Sequence, residues 1–149
     1  MNKINFATLK QNKGIISLGM FSVAMLFATS TSYSFAETQT TVPLDEEVSL
    51  QKTTTMMSVP LDNTFPWGTV RGTIDDPAQG YPVIIQFFNE ESDDKPMHVA
   101  QVDVKGDDTY EYKFRMRDVD LQSGQVTTVF EGNYTVKIFK VVNSSLDTI

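Results

Sequence analysis

The sequence predicts an all-β chain folded as an antiparallel sandwich. Three observations carry that expectation. From Trp67 onward, apolar residues recur at period two in several separate runs. Clusters of Gly, Pro, Asp and Asn punctuate those runs every 8–14 residues. After residue 36, no apolar residues recur at helical spacing. Together they give five strong strand patterns and two weak ones, with one face of several strands polar.

Residues 1–36 read as a secretory signal, helical in its apolar part. Lys3, Lys10 and Lys13 precede the apolar run 15–28, and small residues ending at Ser34 and Ala36 prepare cleavage before Glu37. The run is 14 residues and is interrupted by Ser17, Gly19 and Ser22. A spanning helix needs about 20. Without cleavage the same segment would act as an N-terminal membrane anchor. Residues 37–66 are rich in threonine, contain Pro43, Pro60 and Pro66, and show weak hydrophobic patterning. They read as an extended linker, with a short strand around 54–59.

The folded domain is expected over 67–149. Its first strand sets Val70, Gly72 and Ile74 against Thr69, Arg71 and Thr73. Residues 75–82 are turn chemistry, and "PVIIQFFN" is an apolar run suited to a strand buried on both faces. A charged loop follows, then "HVAQVDV" alternates with Ala100, Val102 and Val104 on one face. "TYEYKFRMR" is the clearest alternation, with Tyr110, Tyr112, Phe114 and Met116 opposed to Glu111, Lys113, Arg115 and Arg117. "DVDLQSGQ" reads as a loop, "VTTVF" as a short strand and "YTVKIFKVV" as the closing strand. If the strands around 100 and 112 are ladder neighbours, Lys105 faces Glu111 and Asp103 faces Lys113. Each such complementary pair contributes about 0.2–1 kcal/mol.

Charge and composition narrow the functional classes. All 19 acidic residues lie after the signal, whereas three of the 12 basic ones lie within it, so the exported chain carries −10. That balance disfavours nucleic acid and anionic membrane surfaces as partners. There is no cysteine, so the fold depends on its core alone.

"GTVRG", "HVAQVDVKGDDTYEYKFRMR" and "FEGNYTVKIFK" together resemble an immunoglobulin-like module of secreted and cell-surface proteins. Macroglobulin-type and carboxypeptidase-regulatory-like sandwiches show a similar run. The resemblance covers residues 67–142 and implies a Greek-key sandwich. It specifies a fold more than a function. The chain departs from it at Asp107–Asp108, where Asp–Gly is favoured, and after Val142, where no last strand is evident. The resemblance also implies that Tyr134, after Gly132 and Asn133, forms a tyrosine corner, its hydroxyl bonding back to the chain.

Candidate sites are few. His98 is the single histidine, and no cysteine or glycine-flanked serine accompanies it, so a nucleophile and base are not assembled. The expectation is no enzyme and no cofactor. Asp75, Asp76, Asp107 and Asp108 are weak calcium candidates if their loops meet at one end. Asp118-x-Asp120 lacks the glycine and the final glutamate of an EF-hand loop. Asn133 and Asn143 head glycosylation sequons. Lys113, Arg115 and Arg117 form a basic stripe that reads as salt-bridged to nearby acids. Trp67, beside Phe65 and Pro66, reads as cover for the end of the core. Tyr112, Phe114 and Tyr134 are expected to be structural.

The leading functional expectation is a non-enzymatic secreted or cell-surface module with a structural or binding role. Its partner is a protein or a cell-surface polymer. One alternative is a fibre or sheath subunit that assembles by donating residues 37–60 as a strand to a neighbour. Another is an accessory ligand-binding domain using its acidic loops.

Overall fold

The computed structural model describes residues 25–26, 37–92 and 94–144. In chain order the strands are β1 (Met25–Leu26), β2 (Thr38–Pro43), β3 (Val48–Val59), β4 (Trp67–Thr73) and β5 (Val83–Asn89). They continue as β6 (His98–Val102), β7 (Thr109–Arg115), β8 (Arg117–Val119), β9 (Val126–Thr128) and β10 (Gly132–Asn143). Every pairing is antiparallel, and no helix occurs among the described residues. The expected signal helix lies outside them, except that Met25 and Leu26 are extended and pair with Arg71 and Val70.

Two sheets share one core. The larger has the order β2-β3-β10-β5-β6, and the smaller β1-β4-β7. β8 and β9 form a separate hairpin. β10 organises the larger sheet because its alternation is sustained. Tyr134, Val136, Ile138, Lys140 and Val142 are all buried, while the residues between them are not. β5 packs Val83, Ile85 and Phe87 on the same side. From the smaller sheet come Val70, Tyr110 and Phe114, joined by Met116 just after β7. The sheets meet ring to ring, with the Phe87 centroid 5.1 Å from Phe114 and 5.4 Å from Phe130. Burying a side chain such as Phe87 contributes about 1.5–3 kcal/mol. Tyr112 is half-buried against this cluster.

Three expectations need correction. Residues 37–66 are not a linker with one short strand. β3 runs 12 residues and pairs with β10 along its whole length, from Val48–Asn143 to Val59–Gly132. Its inner residues include buried Ser49, Thr53 and Thr55 beside Met57 and Val59, a polar row that gives no hydrophobic signal.

The strands around 100 and 112 are not ladder neighbours. β6 pairs with β5 and β7 with β4, in different sheets. Lys105 and Asp103 therefore do not face Glu111 and Lys113 across a ladder. Glu111 instead lies opposite Arg71, and Lys113 bonds Glu111 at 3.8 Å on its own strand.

The stretch 118–125, expected as a loop, begins with the last residues of β8, whose partner β9 lies at 126–128.

Candidate functional site

The sole histidine is held by a side chain from the facing sheet. His98 opens β6 with Nε2 2.5 Å from the Tyr112 hydroxyl, and its ring stacks on Tyr112 at 5.8 Å. Phe87 and Phe130 close in at 5.6 and 6.0 Å. The imidazole thus spends one ring nitrogen on a structural bond inside an aromatic cluster.

Near the start of β10, the Tyr134 hydroxyl accepts the Glu131 N–H at 2.7 Å and donates to the Glu131 carbonyl at 2.8 Å. Gly132 between them has φ +91°, a left-handed value that glycine adopts without strain. Phe130 stacks edge-on against Tyr134 at 5.2 Å.

The acidic loops meet at the opposite end. The Ile74 N–H donates to the Asp108 carbonyl at 2.8 Å, which sets 75–76 beside 107–108. Their carboxylates are already engaged in part. Asp76 accepts from Asn143 Nδ2 at 2.8 Å, and Asp107 accepts from the Thr109 hydroxyl at 2.6 Å. The Thr109 bond holds the Asp107 carboxyl below its ordinary range, and two backbone N–H bonds from Gln122 and Ser123 do the same for Asp120. Among the described residues, no three acidic, histidine or cysteine groups gather in a metal-binding cluster. The sequon amides are likewise occupied, Asn143 on Asp76 and Asn133 on Glu90 at 3.0 Å.

Trp67 does not seal the core. It is 51% exposed, and the Arg115 guanidinium lies 4.3 Å from its ring centre. Phe65 is half-exposed, Leu61 more so, and the adjoining β8–β9 hairpin exposes Val119, Val126 and, at its tip, Leu121 at 95%. The hairpin is fastened there by the Met116 N–H to the Pro66 carbonyl at 2.8 Å and by Arg117 Nη1 to the Asn63 carbonyl at 3.3 Å. Of the basic stripe, Arg115 pairs with Asp118 at 3.0 Å, and Lys113 with Glu111.

Buried polar side chains lie on the inner faces of both sheets, and no candidate drawn from the sequence pointed to them. Lys140 occupies the inward row of β10 between Ile138 and Val142 and is 2% exposed. Thr53 on β3 sits opposite Ile138, diagonal to Lys140, and its hydroxyl is buried without a hydrogen-bond partner. Tyr110 on β7 is equally buried, and its hydroxyl has no partner either. Burial pulls the Lys140 ammonium below lysine's usual range, and Glu37 opposes this. Burial also drives the Tyr110 phenol upward, with Glu37 adding to it. The signal was available in "YTVKIFKVV", where period two places Lys140 on the apolar row.

The chain matches no family model, no curated protein and no solved structure.

Proposed function

We propose that this chain is a non-enzymatic module of the secreted or cell-surface kind, an immunoglobulin-like sandwich that acts by contact rather than by catalysis. Strand placement supports the fold reading. β4 pairs with β7 in one sheet, while β10 is flanked by β5 in the other. Strands B, E, F and C of an immunoglobulin domain are distributed in this way. The Tyr134 bonds to Glu131 near the start of β10 support it further.

The observation that carries the functional reading is the apolar end formed by Leu61, Phe65, Trp67, Val119, Leu121 and Val126. Exposed apolar side chains gathered at one end of a fold often mark contact surfaces on soluble proteins. The partner is a protein surface with complementary apolar side chains. The engaged imidazole of His98 fits the same reading, since it is the chain's only histidine.

The test compares the wild type with Leu121→Asp/Val126→Asp by sedimentation across a concentration range, alone and with isolated envelope proteins. Loss of association in the variant with an unchanged melting temperature supports the reading. Equal association of both proteins, or a hydrolase activity abolished by one point change, refutes it.

A second reading is a fibre or sheath subunit, and one observation favours it. β3 lies beside β10, the place that an immunoglobulin fold gives to its last strand. It reaches that place through residues 60–66, which hold Pro60 and Pro66. Exchange of the β2–β3 hairpin between copies would rebuild the same register between chains. Residues 37–60 are in that case a shared structural element rather than a spare arm. A native mass of one chain at high concentration dismisses this reading.

A further inference from the structure

We propose that the outer face of the larger sheet receives the apolar end of a second copy of this chain, so that copies join end to face. The inference rests on the contact role given above to that end and names the surface that receives it. Two observations single out the face. The first is its charge. None of the 19 acidic residues lies in β2, β3, β5, β6 or β10, although the chain carries a formal charge of −7. Its outward cations are Lys52 and Lys137, diagonal neighbours across the β3–β10 ladder. The smaller sheet differs, since its outward residues mix Arg71, Glu111 and Lys113. The second observation is apolar content. Val42, Leu50 and Val141 stand side by side on β2, β3 and β10. In the next row, Phe139 lies between Lys52 and Ile84. Val42 is 56% exposed and Val99 on β6 52%, while Leu50, Val141, Phe139 and Ile84 are half-buried. A sheet face turned only to water carries polar residues at such positions.

Charge selects the occupant. The apolar end exposes Asp62 beside Leu61, and Asp118 and Asp120 on either side of Val119. Glu131 is exposed there too, just after Phe130, whose N–H donates to the Met116 carbonyl at 3.1 Å. Arg115 and Arg117 offset these acids only in part, so the end is negative. Face against face would bring Lys52 and Lys137 of both copies together, and end against end would oppose the carboxylates. Both symmetric contacts set like charges against each other. End to face lays apolar side chains on apolar ones and sets carboxylates against ammonium groups. Such a contact uses a different surface on each copy, so it leaves one of each free and repeats along a filament or ring.

The experiment follows sedimentation of the full chain, a face variant Lys52→Glu/Lys137→Glu and an end variant Leu121→Asp/Val126→Asp. The wild type should form a concentration-dependent series of oligomers. Each variant alone should associate at least about tenfold more weakly, with an unchanged melting temperature. Mixed one to one, the two variants should form a dimer and stop there. The intact end of the face variant meets the intact face of the end variant, and no second good contact remains. If the face variant does not fold, Val42→Asp/Val99→Asp alters the same face at exposed positions and should behave alike. A wild type that stays at the mass of one chain at high concentration overturns the inference. So does a mixture that remains monomeric or grows past two chains. A face variant that associates like the wild type, beside an end variant that does not, removes the face and leaves the contact role of the end standing. An end variant that associates like the wild type removes both.

Discussion

A Cβ added to Gly72 would lie 2.5 Å from the hydroxyl oxygen of Tyr110, the residue directly opposite it across the β4–β7 ladder. Gly68 stands in the same relation to Phe114, at 2.5 Å from Cζ. Each glycine is covered by the ring of its cross-strand partner, so the inner face of β4 is shaped by two absent side chains. Gly72→Ala should therefore destabilise the chain by about 1–3 kcal/mol through overpacking. Tyr110→Leu combined with Gly72→Ala should recover part of that loss. Urea midpoints of the two single variants and the pair measure the coupling, and strictly additive losses would exclude a direct clash.

Tyr134→Phe removes one oxygen that both accepts from and donates to the backbone of Glu131. The buried ring of Tyr134 remains, and so do its contacts with Phe130. The expected loss is about 1–3 kcal/mol, the cost of leaving backbone groups without their partner. An unchanged denaturation midpoint would mean that water replaces the hydroxyl without loss.

The all-β class and the antiparallel pairing were legible because most of the strands present uninterrupted alternation. On β7 and just past its end, the residues chosen by period two, Tyr110, Phe114 and Met116, are the buried ones, with Tyr112 half-buried. β3 was illegible for the opposite reason. Its inner row of Ser49, Gln51, Thr53 and Thr55 resembles a polar linker until β10 is laid beside it. β-Propensity still favoured a strand there through its threonines, but patterning decided the expectation. Sheet membership of β6 and β7 was also beyond reach, since a short connection fits a ladder hairpin and a crossing between sheets equally well. The Lys140 inclusion was half visible. The lysine interrupts an apolar row, but Thr53, diagonal to it across the β3–β10 ladder, comes beside it only through the fold.

The connection into β7 has a residue that its backbone does not favour. Asp108 has φ +61°, its N–H donates to the Lys105 carbonyl at 3.0 Å, and the Lys105 N–H donates to the Thr109 carbonyl at 2.7 Å. Glycine is the ordinary choice at such a position. Asp108→Gly should raise stability by about 0.5–1 kcal/mol, because relief of the left-handed strain exceeds the added unfolded-state entropy. Its carbonyl bond to Ile74 is a backbone bond and survives the change. A lower thermal midpoint in this variant would show that the aspartate side chain itself supports the turn.

Stability should respond to alkaline pH through Lys140. Burial lowers its folded-state value, with Glu37 opposing. Between that lowered value and the unfolded one, the unfolded chain binds more protons, so stability rises with pH across the window. Tyr110 acts with the opposite sign. Its folded value is raised, so it removes stability once the unfolded phenol ionises. Glu37, also raised by burial, costs stability as pH climbs through the carboxylate range and is constant above it. As pH rises toward lysine's unfolded value of about 10.4, the wild type should therefore gain melting temperature relative to Lys140→Met. Parallel profiles for the two proteins would show that Lys140 titrates as an exposed lysine.

Deleting residues 37–60 should unfold the domain rather than release it. The deletion removes β2 and β3, and with β3 go the buried side chains of Met57 and Val59. It also strips one edge of β10 along 12 register positions, leaving its inner row of Val136, Ile138 and Tyr134 uncovered on that side. Losing one large core side chain already costs about 2–5 kcal/mol, and a domain of this size has about 5–15 kcal/mol in total. The truncated chain should lose its cooperative melting transition and precipitate or aggregate through the open edge of β10. Adding the peptide 37–60 in trans should restore the transition, because the register with β10 requires no covalent link across 60–66. A truncated chain that stays soluble and melts cooperatively without the peptide would show that β4 to β10 suffice for the fold.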